Sequence, residues 1–183
     1  MKLWLARHAR TLAPEGTCYG ASDVAADPDA TLAAARALAA SLPAGLVVRS
    51  SPLQRCRQLA DALHAMRADL AHQPDARLAE MDFGAWEGQA WDAIGRGPLE
   101  RWQADFCGPR EGGGESVAAF LARVEHAFLE TRAAPHDVLW ITHAGVVRAA
   151  RLLAAGVVQP LQAGAWPAQG LDFGACDSIV LSG

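Results

Sequence analysis

Short apolar runs alternate along the chain with longer stretches whose apolar residues recur every three or four positions. LWLA (3–6), GLVVRS (45–50), DVLWITH (137–143) and SIVLS (178–182) predict strands, the first three largely buried. Between them, DATLAAARALAASL (29–42), PLQRCRQLADALHAMRADL (52–70), SVAAFLARVEHAFLETRAA (116–134) and GVVRAARLLAA (145–155) predict helices, rich in alanine and amphipathic. Pro52 suits a first helical position with Ser51 as N-cap, and Ser116 suits the N-cap of its own helix. Strand alternating with helix implies an α/β three-layer sandwich, with a mainly parallel central sheet and helices on both faces. Ligands of such sheets bind in the crevice at the carboxyl ends of the strands.

Residues 82–115 break this pattern. They are rich in glycine and tryptophan and predict no clear element. A loop of that length is usually functional, and its tryptophans argue against disorder. The expected organisation is one domain over 1–183, with 82–115 as an irregular segment covering the substrate.

Composition narrows the function. Sixteen basic and twenty acidic residues in 183 give a net charge of −4, which argues against a general nucleic-acid or membrane surface. Any basic site must therefore be local. Apolar runs fall short of the roughly 18 residues that span a bilayer. In MKLWLARHAR, two arginines and a histidine close the apolar stretch too soon for a secretory signal. Cys18, Cys56, Cys107 and Cys176 are widely separated and form no CxxC pair. They predict small buried or loop residues in a reducing cytoplasm, not a disulfide framework or zinc site.

Three strand ends carry the candidate chemistry. The first strand ends at ARHART, the second at RSSPLQR with Arg55 in the opening turn of a helix, and a later one at ITHAG with His143 before the next helix. In a parallel sheet these ends share one edge, so Arg7, His8, Arg55 and His143 converge. Guanidinium groups bind phosphate oxygens in a bidentate manner, and a helix start adds free N–H donors. The constellation suits a phosphate dianion. His64, His72, His126 and His136 lack metal-ligand spacing and are expected to face solvent.

These residues resemble the histidine phosphatase superfamily, also called phosphoglycerate mutase-like. LARHART is similar to its strand-end Arg-His-Gly signature, and SSPLQRCRQLA to the block whose arginine binds phosphate. LAEMDFGAWEG (78–88) resembles the proton-donor block, GGGES (112–116) the Gly-Gly-Glu-Ser turn, and ITHAGVVR (141–148) the second-histidine block. The resemblance implies that His8 is a nucleophile forming a phosphohistidine. It implies that Arg7, Arg55 and His143 hold the phosphoryl oxygens and that Glu80 is the general acid-base. Flanking arginines favour the neutral imidazole that a nucleophile needs. They also stabilise charge on the transferring oxygens. Glu87 and Glu115 are expected to bond to loop backbone. No metal or cofactor is implied.

The chain departs from the family pattern at three positions. Ala9 replaces a glycine, which is tolerable at negative φ; Arg10 replaces an acidic or polar residue and is either a further phosphate contact or an outward-facing side chain; Pro14 replaces an asparagine in the first substrate loop. GTCYGASDVA (16–25) resembles the corresponding loop of α-ribazole phosphatases, which implies that Tyr19 and Gly20 line the substrate mouth. Thr11 and Ala144 are further substrate-binding candidates. Trp86, Trp91, Trp102, Phe106 and Trp166 form a candidate aromatic wall for stacking a benzimidazole nucleoside. The expected activity is hydrolysis of a small-molecule phosphate ester, with α-ribazole 5′-phosphate in cobalamin biosynthesis the named substrate. A phosphoglycerate mutase, a broad sugar-phosphate phosphatase and a non-catalytic phosphate-binding module are the alternatives. The sequence leaves oligomeric state open.

Overall fold

A computed structural model describes residues 1–109, 112–157 and 162–181. In chain order the principal elements are β1 (Lys2–Arg7), α1 (Pro28–Ser41), β2 (Val47–Ser50), α2 (Gln54–Met66) and β3 (His72–Pro74). They continue with α3 (Trp91–Ile94), α4 (Arg96–Ala104), α5 (Val117–Arg132), β4 (Val138–Thr142), α6 (Ala144–Ala154) and β5 (Cys176–Val180). The strands form one sheet in the order β3-β2-β4-β1-β5. β3, β2, β4 and β1 run parallel, while β5 pairs antiparallel with β1 at the edge.

The two faces of the sheet follow from strand alternation. Leu3, Leu5, Val138 and Trp140 belong to one core, filled by Phe120, Val124 and Phe128 of α5 and by Val146, Val147 and Ala150 of α6. Ala6, Leu139, Ile141 and Val48 belong to the other, filled by Ala35 and Leu38 of α1 and by Leu59 and Leu63 of α2. All of β4 is buried, which is why its sequence reads as a continuous apolar run rather than an alternating one. A third cluster, Cys18, Trp86 and Ile94, lies under the segment that follows Glu80.

Several boundaries differ from the sequence expectation. α2 begins at Gln54, with Leu53 rather than Ser51 at its N-cap and no side-chain cap bond. Asp23 supplies a substitute by accepting from the N–H of Gln54 at 2.5 Å. Ser116 does cap α5, accepting from Ala119 N–H at 3.1 Å. β3 has no counterpart in the sequence expectation, because three residues ending in proline carry too little pattern. His72 on β3 does not simply face solvent. One ring nitrogen meets Ser50 Oγ and the other Asp61 Oδ1, each at 2.8 Å, tying the edge strand to its neighbours. The 82–115 segment contains the helices α3 and α4, a correction to its expected irregularity. Gly95, with φ 82, separates the two, and glycine and proline inside α4 hide its periodicity. No helix among the described residues is long and apolar enough to cross a membrane.

Trp140 is fully buried at the centre of the sheet. Trp140→Ala is expected to destabilise the fold by about 3–5 kcal/mol. Val180→Ala, at a residue 71 % exposed on the edge strand, should cost less than about 0.5 kcal/mol. Urea unfolding of both variants checks the contrast, and comparable costs would place the core elsewhere.

Candidate active site

β1, β2 and β4 end along one edge, and there the residues separated in sequence meet. A cavity of about 590 Å³ is lined by Arg7, His8, Arg55, Glu80, His143 and Ala144, with Arg10, Thr11 and Tyr19 at its mouth. Arg7 is the last residue of β1, and His143 is the N-cap of α6. Arg55 reaches in from the first turn of α2. The His8 and His143 rings lie 5.1 Å apart, edge to face.

Hydrogen bonding fixes the state of each imidazole. His8 Nδ1 lies 2.7 Å from the carbonyl oxygen of Ala9. A carbonyl only accepts, so Nδ1 carries the hydrogen and Nε2 keeps the lone pair. Burial, then Arg55 and Arg7, push the His8 pKa down to about 3. His143 Nδ1 accepts from Arg55 Nε at 3.2 Å, so its Nε2 carries the hydrogen and donates to Ser51 Oγ at 2.7 Å. Burial first and Arg55 second hold His143 well below the ordinary histidine range. Cys56 Sγ is 3.4 Å from His143 Nε2; burial pushes this thiol up to about 12, so it adds no negative charge.

Arg55 has no exposed surface. It donates from Nη1 to Ser22 O at 2.8 Å, from Nη2 to Gly20 O at 2.7 Å, and from Nε to His143. Three of its five N–H groups are thereby committed, leaving two for a ligand. Gly20 is therefore buried behind the site rather than lining its mouth, correcting the sequence expectation. A Cβ at that position would run into the carbonyl of Met81 and the ring of Phe83. Tyr19 stays at the mouth, where its hydroxyl accepts from Thr11 Oγ1 at 3.0 Å.

Arg7 donates to Leu171 O at 2.7 Å and lies over the ring of Phe173, with its guanidinium carbon 3.7 Å from the centroid. Its Nε is buried and has no hydrogen-bond partner among the described residues. Arg10 pairs with Asp27 at 3.2 Å and is largely exposed at the mouth. Ala9 causes no strain, since no non-glycine residue among those described has positive φ. Pro14 closes a turn by accepting from Thr17 N–H at 3.2 Å.

Glu80 is held by the backbone, its carboxylate accepting from Gly145 N–H at 2.9 Å and Met81 N–H at 3.1 Å. Gly145 is required here because a Cβ would occupy the position of the Glu80 carboxylate. Arg123 fixes the backbone beneath, donating to the carbonyls of Arg77, Ala79 and Glu80 at 2.7–3.1 Å. Glu115 grips the same guanidinium through two bonds of 2.6 and 2.8 Å. Glu115 is expected to bond to loop backbone; its carboxylate bonds here to the Arg123 side chain. Glu87 does bond to loop backbone, accepting from Ala21, Ser22 and Phe83 N–H.

Of the expected aromatic wall, Trp86 is buried in the third core cluster and lines neither cavity. Trp91, Trp102, Phe106 and Trp166 line a second cavity of about 390 Å³ beside the first. Sequence reading misses Ser51 as the His143 partner, Phe173 under Arg7, and Gly145 and Arg148 in the ITHAGVVR block. Gly145 and Arg148 sit in a quoted motif and are legible as neighbours of His143, whereas Phe173 carries no sequence signal. No group of His, Cys, Asp and Glu among the described residues is arranged to hold a metal ion.

Gly145→Ala should displace the Glu80 carboxylate and lower turnover of a phosphate ester about 100-fold, while inorganic phosphate binds within about twofold by calorimetry; equal loss of both would mean that the substitution damages the whole pocket. The site also sets a pH dependence. His8 and His143 are neutral when folded and protonate near pH 6.5 when unfolded, so their contribution is full above pH 6.5 and is lost progressively as pH falls below it, down to about 3 for His8. Urea unfolding should show stability falling by about 1.4 kcal/mol per pH unit for each ring below that point. A flat profile between about pH 7 and 5 would mean that the rings protonate freely in the fold.

Comparison with known proteins agrees with the site. Residues 3–165 match the family model of the histidine phosphatase superfamily (branch 1). A search of curated proteins gives no significant match. Among solved structures, TTHB049 from Thermus thermophilus is 32% identical, with TM-score 0.73 over 98% of this chain and 93% of its own. A mycobacterial glucosyl-3-phosphoglycerate phosphatase is 26% identical, with TM-score 0.78 over 97% of this chain and 88% of its own. A protein described as mycobacterial hydrolase 2 is 25% identical, with TM-score 0.79 over 97% and 80%. The match over most of the chain, with the paired histidines and arginines at one sheet edge, places this protein in the histidine phosphatase superfamily.

Proposed function

We propose that the protein is a phosphomonoesterase that hydrolyses a small phosphate ester through a phosphohistidine on His8. The observation that carries this reading is the His8 tautomer. Nδ1–H is committed to Ala9 O, so the nucleophilic lone pair lies on Nε2, in a cavity that also presents Arg7, Arg55 and His143. In the first step Nε2 attacks phosphorus, the ester P–O bond breaks, and Glu80 gives its proton to the departing alkoxide. In the second, Glu80 takes a proton from water, whose oxygen attacks phosphorus and breaks the P–N bond. Arg7 and Arg55 stabilise charge on the transferring oxygens throughout. His143 joins them by turning its Nε2–H from Ser51 Oγ to a phosphoryl oxygen.

The named substrate is α-ribazole 5′-phosphate, supported by the resemblance of 16–25 to α-ribazole phosphatases and by an aromatic cavity beside the phosphate pocket. A second reading has one observation behind it: a mycobacterial structural neighbour is a glucosyl-3-phosphoglycerate phosphatase. Phosphate release from α-ribazole 5′-phosphate, glucosyl-3-phosphoglycerate, 3-phosphoglycerate and an activated aryl phosphate separates the two. A preference of about 100-fold in kcat/KM for the first is the expected result. His8→Ala should abolish turnover and the acid-labile phosphoenzyme trapped on rapid quenching. Glu80→Gln should slow alkyl esters far more than activated aryl esters, because only the former need a proton on the leaving oxygen. Retained turnover without His8 would overturn the mechanism.

A further inference from the structure

Six arginines, Arg10, Arg49, Arg67, Arg77, Arg123 and Arg151, are held by carboxylates at 2.5–3.2 Å. The two assigned to the phosphoryl oxygens are held differently. Among the described residues neither Arg7 nor Arg55 has a carboxylate partner. Arg55 is fixed by two carbonyls and the His143 lone pair. Arg7 has one side-chain hydrogen bond, from Nη1 to Leu171 O at 2.7 Å, although burial pushes its guanidinium below the ordinary arginine pKa. A partly desolvated cation with so few bonds requires another partner.

That partner comes from the far end of the chain. Residues 171–175 are laced to the end of β1: Arg7 N–H donates to Ala175 O, and Gly174 N–H to His8 O, both at 3.0 Å. Gly174 has φ 73, and a Cβ there would come within 2.9 Å of Ala34 Cβ on α1, so glycine lets the strap bend close to the sheet. The bend delivers Phe173. Its ring lies against the Arg7 guanidinium, whose carbon is 3.7 Å from the centroid, and its centroid is 5.5 Å from that of the His8 ring. Phe173 also lines the phosphate cavity.

A ring suits this place better than a carboxylate. A carboxylate under Arg7 would cancel the charge that the phosphoryl oxygens have to meet and would repel the incoming dianion. A ring face attracts the guanidinium through its quadrupole, carries no net charge and consumes no N–H group. Stacking also fixes the guanidinium plane, on which bidentate contact with phosphate depends. With one N–H given to Leu171, four of the five remain for other acceptors.

Resting on the phosphatase reading above, we propose that Phe173 is a positioning residue acting through Arg7: its ring seats the guanidinium at the end of β1 so that the phosphoryl oxygens meet an oriented and uncancelled positive charge.

The test replaces the ring in three ways. Phe173 is 42% exposed, so none of the replacements opens the core. Calorimetric titration with inorganic phosphate compares Phe173→Tyr, Phe173→Leu and Phe173→Glu. Tyrosine keeps the ring face and should bind phosphate within about twofold of the parent. Leucine keeps apolar bulk without the quadrupole and should bind about tenfold more weakly. Glutamate offers Arg7 an ion pair but cancels its charge, and should weaken phosphate about 100-fold or more. Leucine matching tyrosine would leave the ring face without a role, and glutamate matching the parent would show that any partner serves; either result overturns the proposal. A second measurement isolates Arg7. Phe173→Leu should lower kcat for an activated aryl phosphate about tenfold when Arg7 is present and less than about twofold when Arg7 is already alanine. A cost that persists without Arg7 overturns action through it, while the phosphatase reading stands. If no ester is hydrolysed but phosphate binding follows the expected order, the phosphatase reading fails and the seat of Arg7 stands.

Discussion

A guanidinium with no exposed surface requires acceptors, and Arg55 obtains them from three directions. Two are carbonyls of the 16–25 loop, Gly20 and Ser22; the third is the Nδ1 lone pair of His143. Each requirement propagates. The loop carbonyls face Arg55 because Glu87 holds the opposite side of that loop through the N–H groups of Ala21 and Ser22. His143 offers its Nδ1 lone pair because Ser51 takes the hydrogen on Nε2. Burial first, and this positive charge second, disfavour protonation of both imidazoles. A single desolvated cation thus helps to set the loop conformation, the tautomer of His143 and the neutral state of both rings.

This arrangement explains which parts of the molecule are legible from the sequence. β1, β2 and β4 carry unbroken apolar runs because they are buried on both faces, and their helices are long enough to show a period. His8, Arg55 and His143 can be placed at one edge from strand order alone. Ser51 reads as a helix cap because Ser-Pro suits a helix start; its hydroxyl does accept from Leu53 N–H at 3.3 Å, but its shorter bond, 2.7 Å, is to His143, 92 residues away. Tertiary bonding overrides a local preference. Gly20 reads as a mouth residue because its neighbour Tyr19 is there; only the close approach of Met81 O shows why glycine is needed and that it faces inward. Phe173 lies beyond every quoted motif, and its contact with Arg7 depends on the Gly174 N–H bond to His8 O at 3.0 Å, which no local pattern encodes.

Glu80 is built on a different principle. His8, Arg55 and His143 sit on or beside regular elements, but Glu80 lies on extended backbone after a single 3-10 turn. Such backbone lacks a ladder to hold it. Arg123 supplies one by spanning three carbonyls from the neighbouring helix α5, and Glu115 fixes Arg123 in turn. The GGGES turn therefore serves Glu80 at one remove. Its glycines let the chain cross closely: Gly114, with φ 81, passes Asp82 O and Gly84 N at distances that exclude a side chain. Glu115 N–H completes the crossing with a bond to Asp82 O at 2.8 Å.

The two halves of the candidate site therefore answer to different constraints. The phosphate half is made of strand ends and helix starts whose side chains are locked by buried charge, so a substitution there disturbs charge balance and fold together. The second cavity is built largely from α3, α4 and the 162–168 stretch, whose rings pack on one another and touch the sheet-covering helix α5 through Phe120. Ring contacts are additive and small, so walls of this kind tolerate replacement at about 1 kcal/mol per contact. Loss of a partner for Arg55 would strand a buried cation at several times that cost. On physical grounds, substitution is cheap among the rings of the second cavity and expensive at the sheet edge.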